Sequence, residues 1–157
     1  MRLKEFYIDN FRGFRKFRLK AEESTNILTG VNNSGKTTIL EAISLWNEIF
    51  NYLITKAQRS DSGSGIRRGD YRFGKKNQNY FDYRQINSVR SFGYHDIFYN
   101  LDKYSRIEIS STIVSPNNNE IEIGFIVTFA NGNNYNVYLK DHNNFDFRKF
   151  NDEFSVL

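Results

Sequence analysis

The chain has 157 residues, with 22 Lys and Arg against 18 Asp and Glu and no cysteine. That length holds one domain with a real core and is short for two. The missing thiols exclude disulfides, Cys-ligated zinc and thiol catalysis. Fifteen Phe and ten Tyr in a 39% apolar composition exclude a disordered polymer. No apolar run reaches the length of a membrane span and no basic-then-apolar leader follows Met1, so a cytoplasmic protein away from membranes is expected.

Elements follow in chain order. Leu3, Phe6 and Ile8 mark an opening strand, Asn10-Phe11-Arg12-Gly13-Phe14 a turn, and Phe17 with Leu19 a second short strand. Thr25-Asn26-Ile27-Leu28-Thr29 is a compact apolar run that predicts a third strand ending at Gly30. From Lys36 the period changes: Ile39, Ile43, Trp46, Phe50 and Leu53 recur at helical spacing, widened by Leu40, Ala42 and Ile49, which predicts a helix to about Ala57.

Residues 58–80 break that pattern. Arg59, Arg67, Arg68, Arg72, Lys75 and Lys76 face only Asp61 and Asp70 there, so this segment matches the entire net charge of +4. With Ser60-Asp61-Ser62-Gly63-Ser64-Gly65 inside it, the segment reads as a flexible basic insertion. With Tyr71, Phe73, Tyr80, Phe81 and Tyr83 nearby it could contact nucleic acid through phosphate charge and base stacking; a merely solvated insertion is the plainer alternative. A short helix around Asp96–Leu101 is expected. Residues 104–140 then form an antiparallel meander: Ile107, Ile109 and Ile113 alternate, Ile121 to Phe129 keep a clean period of two, and Asn131-Gly132 makes a hairpin back to Tyr135, Val137 and Leu139. The tail from Asn143 is left unassigned.

The chemistry is concentrated at Gly30-Val31-Asn32-Asn33-Ser34-Gly35-Lys36-Thr37, a glycine, four residues, then Gly-Lys-Thr, with Thr38 after it. Glycines at both ends let successive N–H groups point inward as a nest for phosphate oxygens. Lys36 brings a point charge to the β- and γ-phosphates, and Thr37 offers its hydroxyl to Mg²⁺. The helix that follows aims its positive end at the same anion. ATP and Mg²⁺ are therefore the expected ligands.

Together with Ile8-Asp9-Asn10-Phe11-Arg12-Gly13-Phe14, and with the run from Asn32 through Thr38-Ile39-Leu40-Glu41-Ala42-Ile43, this loop resembles the start of an ABC-type ATPase head of the OLD, RecF and SMC families, among AAA family ATPases. The specific part of the resemblance covers residues 1 to about 46. It implies an α/β P-loop NTPase with a mixed sheet around the helix after the loop (residues 1–57) and an antiparallel β subdomain beside it. It also implies ATP held between two protomers, hence a homodimer or higher oligomer through the heads. Arg12 would lie near the phosphates of its own head; an exposed turn residue is the alternative. DNA-related work, in repair or anti-phage defence, and a nuclease or other effector partner follow from the same resemblance.

Hydrolysis needs carboxylates to hold Mg²⁺ and orient water. No apolar strand ends in Asp-Glu or Asp-Asp: Asp152-Glu153 follows a polar approach, and Asp82, Asp96 and Asp102 sit in similar settings. A Ser-Gly signature followed by a helix is also missing, and Gln78 and Gln85 stand as candidate nucleotide-linking glutamines by residue type alone. His95 and His142 lack partners at metal-ligand spacing. The expectation is an ATPase whose first part, seen here, turns ATP over poorly by itself. The alternative is a nucleotide-binding scaffold that holds an effector assembly together.

Overall fold

In the computed structural model, residues 2–60, 80–91, 93–132, 134–141 and 144–154 are described. The basic segment as far as Lys76, Gln78, the side chains of Arg59 and Gln85, and His142 lie outside that description. Strand β1 (Arg2–Asp9) and β2 (Phe17–Lys20) form a hairpin; helix α1 spans Lys36–Ser60. Then come β3 (Tyr80–Asp82), β4 (Ile107–Val114), β5 (Glu120–Ala130), β6 (Asn134–Leu139) and helix α2 (Phe147–Phe154).

The six strands make one sheet in the order β2-β1-β4-β5-β6-β3. Every pairing in it is antiparallel, which corrects the expected mixed sheet. The meander is also part of this same sheet, since β4 pairs directly with β1. A physical reason lies at residues 25–29, an apolar run that could have supplied a further strand. It takes no strand conformation. Asn26 turns it locally instead: its Oδ1 accepts from the Glu22 N–H at 2.8 Å and its Nδ2 donates to Glu22 O at 3.1 Å. Such side-chain bonds satisfy backbone groups that a ladder would otherwise use.

Register sets the core. Alternation puts Ile8 opposite Ile109, Ile109 opposite Phe125, and Phe125 opposite Leu139, all on one buried face. Helix α1 covers that face with Ala42, Leu45, Trp46, Ile49, Phe50 and Leu53. The buried stripe runs through Leu45 and Ile49, whereas Leu40, read from the sequence as part of it, is 55% exposed. Trp46 fixes the helix against the sheet: its ring lies 5.9 Å from Phe125 and its Nε1 donates to Ile123 O at 2.8 Å. Helix α2, in the unassigned tail, adds Phe150 edge-on to Phe50. On the opposite sheet face Lys140 is paired to Glu108 at 2.5 Å.

Between β3 and β4 the chain has little regular structure. The expected helix around 96–101 is only a 3₁₀ turn, Tyr99–Leu101, because Asn100 and Leu101 stand at φ 53° and 59° and cannot continue a right-handed helix. Buried Val89, Ile97 and Phe98 pin the connection to the core. Phe98 bridges to Phe11, which brings this connection beside the turn after β1.

Candidate functional site

The phosphate loop sits where Ile39 N donates to Gly35 O at 3.0 Å, at the first turn of α1. Asn33 and Gly35 stand at φ 67° and 86°, the left-handed angles that bend the chain into a cradle. A Cβ on Gly35 would meet Phe14 Cζ at 2.7 Å, so the β1–β2 hairpin presses directly on the loop. Phe14 is held there by Phe17, 4.8 Å away between ring centres.

Asn32, Asn33, Ser34, Gly35, Lys36, Thr37 and Thr38 line one cavity of about 610 Å³. Lys36 folds across the loop, donating from Nζ to Gly30 O at 2.6 Å, Val31 O at 2.7 Å and Ser34 Oγ at 3.2 Å. These three contacts match the three donors of an ammonium group. An anion entering the cradle would exchange with them. The residues therefore fit a phosphate group, and Thr37, exposed in the same cavity, has the hydroxyl that a Mg²⁺ ion requires.

Arg12 is the other sequence-predicted site residue, and the turn that carries it is tightly built. Phe11 and Phe14 exchange backbone hydrogen bonds of 3.2 and 2.9 Å, while Arg12 N donates to Ile97 O at 2.9 Å. Its guanidinium reaches α1: Nη1 pairs with Glu41 Oε2 and Nη2 donates to Arg90 O. Arg12 thus sits in a turn as half of a partly buried ion pair next to the loop. Arg12, Thr37, Thr38, Glu41, Arg90 and Asp96 line a second cavity of about 500 Å³. Because Thr37 and Thr38 line both cavities, the two adjoin.

Glu41, Arg90 and Asp96 were not identified from the sequence as site residues. Glu41 is 7% exposed and also lies 3.6 Å from Arg90 Nε. One signal could have found it: a carboxylate one turn after Thr37, flanked by the apolar residues Leu40, Ala42 and Leu45. Arg90 and Asp96 had no local signal, since they arrive from a connection without periodicity. Asp96 Oδ2 accepts from Gly93 N at 2.8 Å, and Oδ1 is 3.4 Å from His95 Nε2. Nearby Tyr135 donates to Tyr94 O at 2.5 Å, and burial, helped by the Asp96 charge, pushes its phenol well above the ordinary tyrosine range.

Asp152 and Glu153 belong to α2. Glu153 accepts from Asn117 and Asn119, and hydrogen bonding, led by the Ser115 hydroxyl, holds its carboxyl below the usual range. Asp82 accepts from Arg84, and Asp102 from Tyr104 N. Among the described residues no group of three His, Asp or Glu is placed to hold a metal ion. Nor is any helix long and apolar enough to cross a membrane.

The family model for the AAA ATPase domain matches residues 1–155. The chain belongs to that family. It is a P-loop ATPase domain, with the phosphate loop at the geometry described. It is 45% identical over 42 residues to the DNA double-strand break repair Rad50 ATPase of Methanosarcina acetivorans, covering 27% of this chain and 4% of that protein. Over 39 residues it is 54% identical to the DNA replication and repair protein RecF of Rickettsia prowazekii, covering 25% of this chain and 11% of that one. The RecF of Caldanaerobacter subterraneus is 47% identical over 45 residues, 29% of this chain and 12% of the relative. The match thus spans 4 to 12% of the length of these relatives.

Proposed function

We propose that this chain is the ATP-binding part of an ABC-type ATPase whose nucleotide-driven head dimerisation is coupled to work on DNA. One observation carries the reading: Lys36 sits over a cradle of about 610 Å³ at the N-terminus of a 25-residue helix, its ammonium on loop carbonyls that an anion would replace. Backbone N–H groups of Asn33 to Thr37 and the helix end receive the β-phosphate, and Lys36 spans the β- and γ-phosphates. Thr37 would hold Mg²⁺ through its hydroxyl, and the ion would draw charge off the phosphate oxygens. Arg12, already at the Thr37 side, supplies a further cation to the phosphates.

The DNA part of the reading rests on the names of the Rad50 and RecF relatives, which favour repair over phage defence. Hydrolysis would need a carboxylate to hold Mg²⁺ and another to orient water, and no apolar strand of this sequence ends in an Asp-Glu or Asp-Asp pair. The present chain alone binds MgATP and turns it over at close to the background rate.

Calorimetry of MgATP on the chain and on Lys36→Ala tests this. Wild-type binding with a loss of at least about tenfold in the variant is expected, since one charge-assisted contact of this kind contributes about 1.5–3 kcal/mol. Equal binding by both would sink the assignment of the loop.

A further inference from the structure

We propose that Glu41 is a positioning residue that holds Arg12 and Arg90 as a pair of cations at the open end of the phosphate loop, so that the site prefers a nucleoside triphosphate to a diphosphate. The inference rests on the nucleotide reading of the loop and deepens it. In a loop of this pattern the Thr37 side is where Mg²⁺ and the outer phosphates lie. Thr37 and Thr38 are shared with the second cavity, so a third phosphate extending past the cradle on that side would have Arg12 and Arg90 beside it. A diphosphate ends before it.

The charge pattern there is built. Glu41 is 7% exposed, next to the core residues Ala42 and Leu45 of the same helix. A carboxylate so buried costs several kcal/mol unless it is paired, and an apolar residue would usually be at least as stable in its place. What the carboxylate provides is orientation. Oε2 takes the Arg12 guanidinium and Oε1 faces Arg90 at 3.6 Å, one negative charge between two positive ones. The Arg90 side chain is 84% exposed, so its guanidinium stays accessible from solvent, while its backbone oxygen accepts from Arg12. Two turns along α1, Glu48 accepts the Asn87 and Ser88 N–H groups at 3.2 and 3.1 Å, which lays the segment leading to Arg90 along the same helix. Asp96 closes the far rim, engaged with Gly93 N and near His95. The loop, Arg12 and Arg90 are thereby referred to a single rigid element, as phosphate recognition requires.

The test is titration of MgATP and MgADP into the full chain, Glu41→Gln and Arg90→Ala. The expected result is a fall of about tenfold in the ATP-to-ADP affinity ratio in Glu41→Gln, with a fall of severalfold in Arg90→Ala, and MgADP affinity within about twofold of wild type. Arg90→Ala removes a solvent-exposed side chain, so a folding defect cannot hide the answer. Binding in both variants with the ratio unmoved would overturn the inference while leaving the nucleotide site standing. A fall in Arg90→Ala alone would remove Glu41 from it. Wild-type affinity for both nucleotides in Lys36→Ala would instead overturn the reading of the loop itself.

Discussion

Gly35 stands at φ 86° with Phe14 Cζ 2.7 Å from where a Cβ would project. An alanine there would have to adopt a left-handed angle and displace a ring already packed on Phe17. The angle alone costs about 1–3 kcal/mol, so Gly35→Ala is expected to lower unfolding stability by that amount in a denaturant titration, and to weaken MgATP binding with it. A loss below about 0.5 kcal/mol would mean that the loop gives up the left-handed angle at little cost and that Phe14 does not brace it. At this scale the candidate site was legible in part. The cradle from Gly30 to Thr38 is contiguous chain, so its spacing alone announces it. The Arg12–Glu41 pair bridges 29 positions and the Arg12–Arg90 contact 78. Such partners are chosen by the folded topology, and no local pattern specifies them.

At the scale of elements, α1 is the piece on which the site depends, because it carries the loop at one end and Glu41 one turn later. Its seat on the sheet is more specific than an apolar stripe. Trp46 stacks at 5.1 Å on Phe50 and donates its indole N–H to Ile123 O inside the core. Trp46→Phe keeps most of the apolar volume but leaves that carbonyl without its indole donor, which costs about 1–3 kcal/mol together with the volume lost. Chemical denaturation of the variant checks this; a change under about 0.5 kcal/mol would show that the helix is held by its other side chains. The strands β2 and β4 to β6 were legible because alternation is a strong local signal, and β1, with Leu3, Phe6 and Ile8 unevenly spaced, was legible by its strand-forming residues. Even the hairpin at Asn131-Gly132, with Gly132 at φ 73°, announced itself by its turn residues. Helix α2 escaped the reading since its apolar positions, Phe147, Phe150 and Phe154, are too few to show a period. Leu45 was missed on α1 for a related reason: a stripe drawn through Leu40 and Ile43 fits the same period rotated by part of a turn.

For the whole molecule, the instructive departure is at residues 25–29, where an apolar run predicted a strand and the chain instead turns on Asn26. A strand is defined by its partner as well as by its own composition, and the antiparallel sheet of this chain closes without using that run. The consequence is a concentration of exposed apolar residues around the loop, Ile27 at 77% and Val31 at 79%, with Leu40 beside them on the first turns of α1. Side chains so open contribute little to the stability of the chain as it stands. Ile27→Ser with Val31→Ser is therefore expected to shift unfolding stability by less than about 0.5 kcal/mol, and to leave the cradle able to bind MgATP. If the residues were packed, losing two branched aliphatic groups would cost about 2–4 kcal/mol. Paired thermal and calorimetric measurements on the double variant separate these cases. Unchanged stability with unchanged affinity means that the loop is shaped from within, by Gly35, Phe14 and Lys36. A large loss means that the run before the loop is held by contacts as an element of the core.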